Sequence, residues 1–145
     1  MGARWWVGAA VVAAVCGCQV SHRADADPVQ FALGQDVTLG GGQEAVATGD
    51  DLHLRFADVS EDSRCPTQVE CFWTGQARVT IDVRAAGSQS STVEFNTNPA
   101  PGQNVQTVTV DGYTVTLTSL DPYPRTPGEP IPFEDYRATL SVRKA

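Results

Sequence analysis

The sequence has no apolar run of the about 20 residues that a membrane-spanning helix needs, and no block of like charge longer than two or three side chains. Basic residues are few: ten stand against seventeen acidic ones, a formal charge of −7. That balance repels phosphate backbones and anionic lipid headgroups, which disfavours nucleic-acid binding and a polybasic membrane patch. Histidine is scarcer still, with His22 and His53 alone. A Ser-His-Asp site would have to use His53, which shares the polar side of its segment, opposite Leu52, Leu54 and Phe56. Gly-x-Ser-x-Gly, His-Glu-x-x-His and Gly-rich phosphate loops are all missing. Helical periodicity is missing as well.

These absences narrow the chemistry. With no motif to carry it, no catalytic residue, cofactor or metal ligand is expected. Paired carboxylates of the glycosidase kind would need a defined separation, and the dispersed acids supply no signal for one. Asp50 and Asp51, or Asp58, Glu61 and Asp62, have the hard oxygens that calcium takes. Their spacing is irregular, and solvated turn acids are the better reading.

What is present begins at the N-terminus. Arg4, the uncharged run Trp5 to Val15, and Val15-Cys16-Gly17-Cys18 have the anatomy of a secretory leader, with a positive start, a short apolar core and small residues before a cysteine. Gly17 is the small residue that lipoprotein processing requires, so Cys18 is the expected lipidation site and residues 1–17 the bacterial lipoprotein signal peptide. The alternatives are a plain signal peptide cut nearby and a Cys16-x-Cys18 metal site, which would leave the apolar run unexplained. More than one acyl chain anchors a protein stably. Gln19 in place of an aspartate favours the outer membrane, on its periplasmic side or at the cell surface. Residues 18–28 are small and polar, a flexible tether.

Setting the leader aside leaves 128 residues, nine basic and seventeen acidic, for a formal charge of −8. That is one domain's worth of chain, expected over residues 29–145. Its period is two. Asp51 to Phe56 and Val79 to Val83 alternate polar and apolar residues, which marks half-buried strands. Thr107 to Val110 and Tyr113 to Leu117 flank Asp111-Gly112, a dipeptide suited to tight hairpin turns because it tolerates positive φ. Further strands are expected at 36–39, 45–48, 91–96 and 136–142. The fold class is all-β: a single antiparallel β-sandwich, or partly open barrel, of roughly seven to eight strands.

The segment Glu61-Asp62-Ser63-Arg64-Cys65-Pro66-Thr67-Gln68-Val69-Glu70-Cys71-Phe72-Trp73-Thr74-Gly75-Gln76-Ala77 holds the only two cysteines of the mature chain besides the expected lipidation site, Cys18. In an oxidising compartment Cys65 and Cys71 should pair. The ring is small and worth about 2 kcal/mol in the chain-entropy treatment, so it shapes a loop more than it joins sheets. Trp73 has the same parity as Ala77, Val79, Ile81 and Val83, which predicts a buried indole beside the disulfide, with Gly75 and Ala77 making room. Two uses of the loop compete. It is either a display surface presenting Arg64, Thr67, Gln68 and Glu70, or a clip that starts the central strand, with Asp62 capping the turn or pairing locally with Arg64.

Asp62-Ser63-Arg64-Cys65-Pro66 followed by Cys71, Trp73, Gly75 and Ala77 resembles a motif of an uncharacterised family of small bacterial secreted proteins and lipoproteins. Tyr113-x-Val115-x-Leu117, the Pro-rich turn and Asp135-Tyr136 fit the same pattern, over most of the mature chain. The resemblance implies a β domain and brings no catalytic residue with it.

Between Pro122 and Pro132 five of eleven positions are proline. Each fixes φ and removes a donor, so a stiff, extended crossover is expected. It presents Tyr123 and Arg125, residue types common at interface hot spots, or simply covers an edge. Taken together, these features predict a membrane-anchored, extracytoplasmic binding or structural module of the cell envelope. Its membrane contact would be the lipid on Cys18, and its partner an envelope protein or wall polymer. A protease-inhibitor-like display domain is one version, and an envelope hydrolase with a carboxylate site is the alternative.

Overall fold

The computed structural model describes residues 27–102 and 106–145. The expected leader, the expected lipidation site at Cys18 and the expected tether up to residue 26 lie outside the described residues.

Nine strands form among the described residues: β1 (Val29–Phe31), β2 (Asp36–Gly40), β3 (Glu44–Ala47), β4 (Leu52–Asp62), β5 (Ala77–Ala85), β6 (Ser91–Asn96), β7 (Thr107–Val110), β8 (Tyr113–Asp121) and β9 (Arg137–Lys144). They make two sheets, in the orders β1-β3-β4-β5-β6 and β2-β9-β8-β7. The architecture is the expected β-sandwich, open rather than closed, and all pairings are antiparallel except β1 with β3. Among the described residues the only helical element is a single 3₁₀ turn at Phe133–Asp135.

Alternation explains the packing. Leu52, Leu54 and Phe56 of β4, Val79, Ile81 and Val83 of β5, and Val115, Leu140 and Val142 of the facing sheet are all buried. Each such side chain contributes about 1.5–3 kcal/mol on leaving water. Phe56 also meets Phe133 edge to face, with centroids 5.2 Å apart. The Asp111-Gly112 turn has φ of 48° and 81°, the two positive values of a type I′ hairpin, and it sets the β7–β8 register.

Several expectations need correction. β1 is a ninth strand beyond the seven or eight expected; three residues are too short to show a period. β4 runs on to Asp62, because irregularities between Phe56 and Asp58 and between Val59 and Glu61 shift the phase of the alternation without ending the ladder. The Pro-rich segment joins two strands that pair directly, so it is a long hairpin excursion and not a crossover. Trp73 is 67% exposed. The parity argument fails there because residues 71–76 are not strand. Gly75, at φ 68°, turns the chain just before β5 begins. A Cβ on Gly75 would stand 1.8 Å from the Ser63 carbonyl oxygen, so this glycine makes room for backbone and not for an indole.

The β4–β5 and β8–β9 loops leave the sandwich at the same end, as do the β6–β7 and β2–β3 connections. The Asp111-Gly112 turn and the C-terminus share the opposite end.

Candidate binding surface

The loop between β4 and β5 is built on a buried cation. Arg64 is only 6% exposed. Its Nε donates to Asp62 Oδ1 at 2.8 Å and its Nη2 to Asp62 Oδ2 at 2.7 Å, a two-point grip on one carboxylate. Nη1 donates to the Leu120 carbonyl at 2.7 Å and Nη2 to the Pro122 carbonyl at 3.0 Å. The guanidinium carbon lies 5.0 Å from the centroid of the Tyr123 ring. Asp62 ends a strand of one sheet, and Leu120 and Pro122 mark the end of a strand of the other. Arg64 is therefore a clamp between the two layers. The display role expected for it is corrected: its charge is spent inside the protein, and the local pairing with Asp62 is present in a buried form.

Tyr136 completes the cluster by donating its hydroxyl to Asp62 Oδ2 at 2.7 Å. Burial by itself would raise the Asp62 carboxyl, but hydrogen bonds from Arg64 and Tyr136 and the adjacent guanidinium charge outweigh it and hold the pKa below its ordinary 3.8. Burial, and then the Asp62 carboxylate, push the Tyr136 phenol up to about 12. Among the described residues every buried side-chain nitrogen or oxygen has a partner.

Beyond the clamp, Cys65 and Cys71 form the expected disulfide. Three main-chain bonds fix the loop further: Cys65 N–H to the Thr74 carbonyl at 2.8 Å, Thr67 N–H to Pro124 at 3.0 Å, and Gln68 N–H to Arg125 at 3.1 Å. The Pro-rich excursion thus lies alongside the disulfide loop and braces it. Thr67, Gln68, Glu70, Tyr123 and Arg125 are exposed, as a presenting surface requires. The sequence reading missed the most exposed apolar residues of the loop. Phe72 projects fully into solvent and Trp73 follows it at 67% exposed, with Val69 40% exposed inside the disulfide ring of the same loop. The signal for Phe72 is its place between Cys71 and a glycine turn, where no strand phase applies.

Under the loop, between the sheet ends, is a cleft of about 410 Å³ walled by Arg64, Thr74, Asn98, Gln106, Leu120 and Tyr123. The amide of Asn98 is engaged with Thr74 Oγ1 at 2.8 Å and that of Gln106 with the Thr97 carbonyl at 3.0 Å.

No family model, curated protein or solved structure matches the chain.

The remaining candidates are scattered. Asp50 accepts from Lys144 Nζ at 2.9 Å and from the Tyr113 hydroxyl at 3.4 Å, while Asp51 lies 3.4 Å from His53. Glu61 pairs with Arg78 at 3.2 Å. Among the described residues no three metal-ligating side chains gather, and no helix is long and apolar enough to cross a membrane. The Asp62 pKa is displaced downward, the direction opposite to what a general acid needs.

Proposed function

We propose that the chain is a lipid-anchored bacterial envelope protein, held by Cys18, whose β domain is a binding module that makes its contact through the β4–β5 loop. The observation that carries this reading is the exposure of Phe72, Trp73 and Val69 on a loop that a disulfide, a buried arginine and a proline-rich brace hold in one shape. Holding large apolar side chains in water costs solubility, and their order in advance lowers the entropic cost of contact. The leader and the resemblance to secreted proteins and lipoproteins support the location.

The protease-inhibitor version is less favoured. An inhibitory segment offers its main chain to the protease, whereas the N–H groups of Thr67 and Gln68 already donate to the Pro-rich excursion.

A photo-crosslinking residue at Gln68 of the full chain, expressed in a bacterial host, tests the module. The expected result is a crosslink to an envelope component that disappears in a Phe72→Ser, Trp73→Ser background. Equal crosslinking from Gln68 and from Asp111, at the opposite end of the sandwich, would overturn it.

A further inference from the structure

We infer that the surface engaged by the loop is the bilayer itself: Val69, Phe72 and Trp73 dip into the membrane interface and orient the anchored domain with its loop end down. The inference rests on the lipid-anchor reading and names the partner of the same surface.

The direction of the chain is the first argument. β1 is parallel to β3, and β3 is antiparallel to β4, so β1 runs opposite to the strand that delivers the loop. The chain preceding Val29 therefore arrives from the loop end of the sandwich. Val29 stands level with Ala45, and Ala45 with Leu54, eight positions short of Asp62. Eight strand residues are about 26 Å. Cys18 to Pro28 is eleven residues, with a reach of up to about 38 Å. The tether thus reaches the level of Asp62, at the root of the loop, with about 12 Å of chain to spare toward its tip, on the side from which the chain already comes.

The chemistry of the tip is the second argument. Tryptophan and other amphipathic aromatics settle at the level of lipid headgroups, where an apolar ring is covered and a polar edge stays wet. Trp73 has that form, and Phe72 and Val69 add purely apolar exposed surface on the same loop. The loop's cation is not available for headgroups, because Arg64 is buried on Asp62 and two carbonyls. Binding by insertion, and not by charge, is also what the −8 of the processed chain allows, since the domain gains nothing from anionic lipid. Insertion of this kind is weak alone and becomes effective when an acyl anchor holds the domain at the surface.

The sequence supplies its own probe. Trp5 and Trp6 leave with the leader, so Trp73 is the single tryptophan of the processed chain. The full chain is expressed in a bacterial host, extracted with detergent, checked by intact mass for acylated Cys18, and reconstituted into phosphatidylcholine vesicles with or without bromine on the acyl chains. The expected result is a blue-shifted Trp73 emission that brominated lipid quenches at least two-fold, with quenching reduced in Phe72→Ser, whose unchanged unfolding curve shows that the fold survives. Acylated, vesicle-bound protein whose Trp73 emission stays red and unquenched overturns the inference while leaving the anchor intact. A mass without acyl chains overturns the anchor reading and this inference together, and is seen before any vesicle is made.

Discussion

Arg64 and Asp62 are two residues apart in the chain and bound side chain to side chain at 2.7 and 2.8 Å, yet the pair functions between sheets. The same guanidinium takes the carbonyls of Leu120 and Pro122, and the same carboxylate takes the hydroxyl of Tyr136. A local ion pair has become the joint at which the β4–β5 loop, the Pro-rich excursion and the start of β9 meet.

Removing the cation should strand a buried carboxylate. Arg64→Ala is expected to lower stability by about 3–5 kcal/mol, read from urea unfolding. Lysine cannot make the two-point grip or reach both carbonyls, so Arg64→Lys should recover little of the loss. A loss below that of an ordinary surface substitution in either variant would contradict the clamp.

The cluster also sets the pH limits. The folded-state pKa of Asp62 lies below 3.8, so its contribution is present above that value and disappears as pH falls through the depressed folded value. The folded-state pKa of Tyr136 is raised from 10.0 to about 12, so its contribution is intact below pH 10 and is lost as pH climbs toward 12. Stability curves of Asp62→Asn and Tyr136→Phe should be flatter than wild type on the acid and the alkaline side, respectively. Parallel curves would rule out this assignment.

Gly75 offers a steric test. Alanine there has both a φ of 68° and a Cβ within 1.8 Å of the Ser63 carbonyl. At Gly49, with φ 83° and open space, only the conformational cost applies, about 1–2 kcal/mol. Gly75→Ala should therefore be clearly the more damaging of the two in thermal unfolding, and its amide exchange should rise at Ser63 and Cys65.

Loss of the disulfide should be felt locally. Cys65→Ser, Cys71→Ser is expected to cost about 2 kcal/mol and to speed hydrogen exchange at the Cys65, Thr67 and Gln68 amides, with Ile81 and Leu140 still among the slowest. Uniform acceleration across the core would mean that the bridge holds the sheets and not the loop.

The exposed aromatics should be expendable for folding. Phe72→Ser and Trp73→Ser should change stability by no more than about 0.5 kcal/mol, the range of ordinary surface substitutions. A larger loss would show that these side chains pack in solution.

What the sequence reveals here depends on the range of the interaction. Thr107 to Leu117 can be read as a hairpin because both the alternation and the turn are local, and the observed turn has the two positive φ values that Asp-Gly favours. The disulfide is legible because its partners are six residues apart. The burial of Arg64 is not, since the carbonyls that satisfy it are 56 and 58 positions away and a charged residue beside serine looks solvated. The exposure of Trp73 is hidden for a related reason: parity counts only inside a strand, and the turn at Gly75 cancels it.

The parallel pairing of β1 with β3 has a mechanical consequence. Force arriving through the residues before Val29 acts along the axis of β1, away from Phe31. The ladder that pairs Val29, Gln30 and Phe31 with β3 then bears the load as a unit, in shear, instead of opening bond by bond as in a peeled hairpin. Two more main-chain bonds, Thr48 to Phe31 and Gly34 to Val142, lie at the far end of the same short strand. A three-residue edge strand would be a weak point under peeling, and this direction of attachment lets it serve as a lap joint.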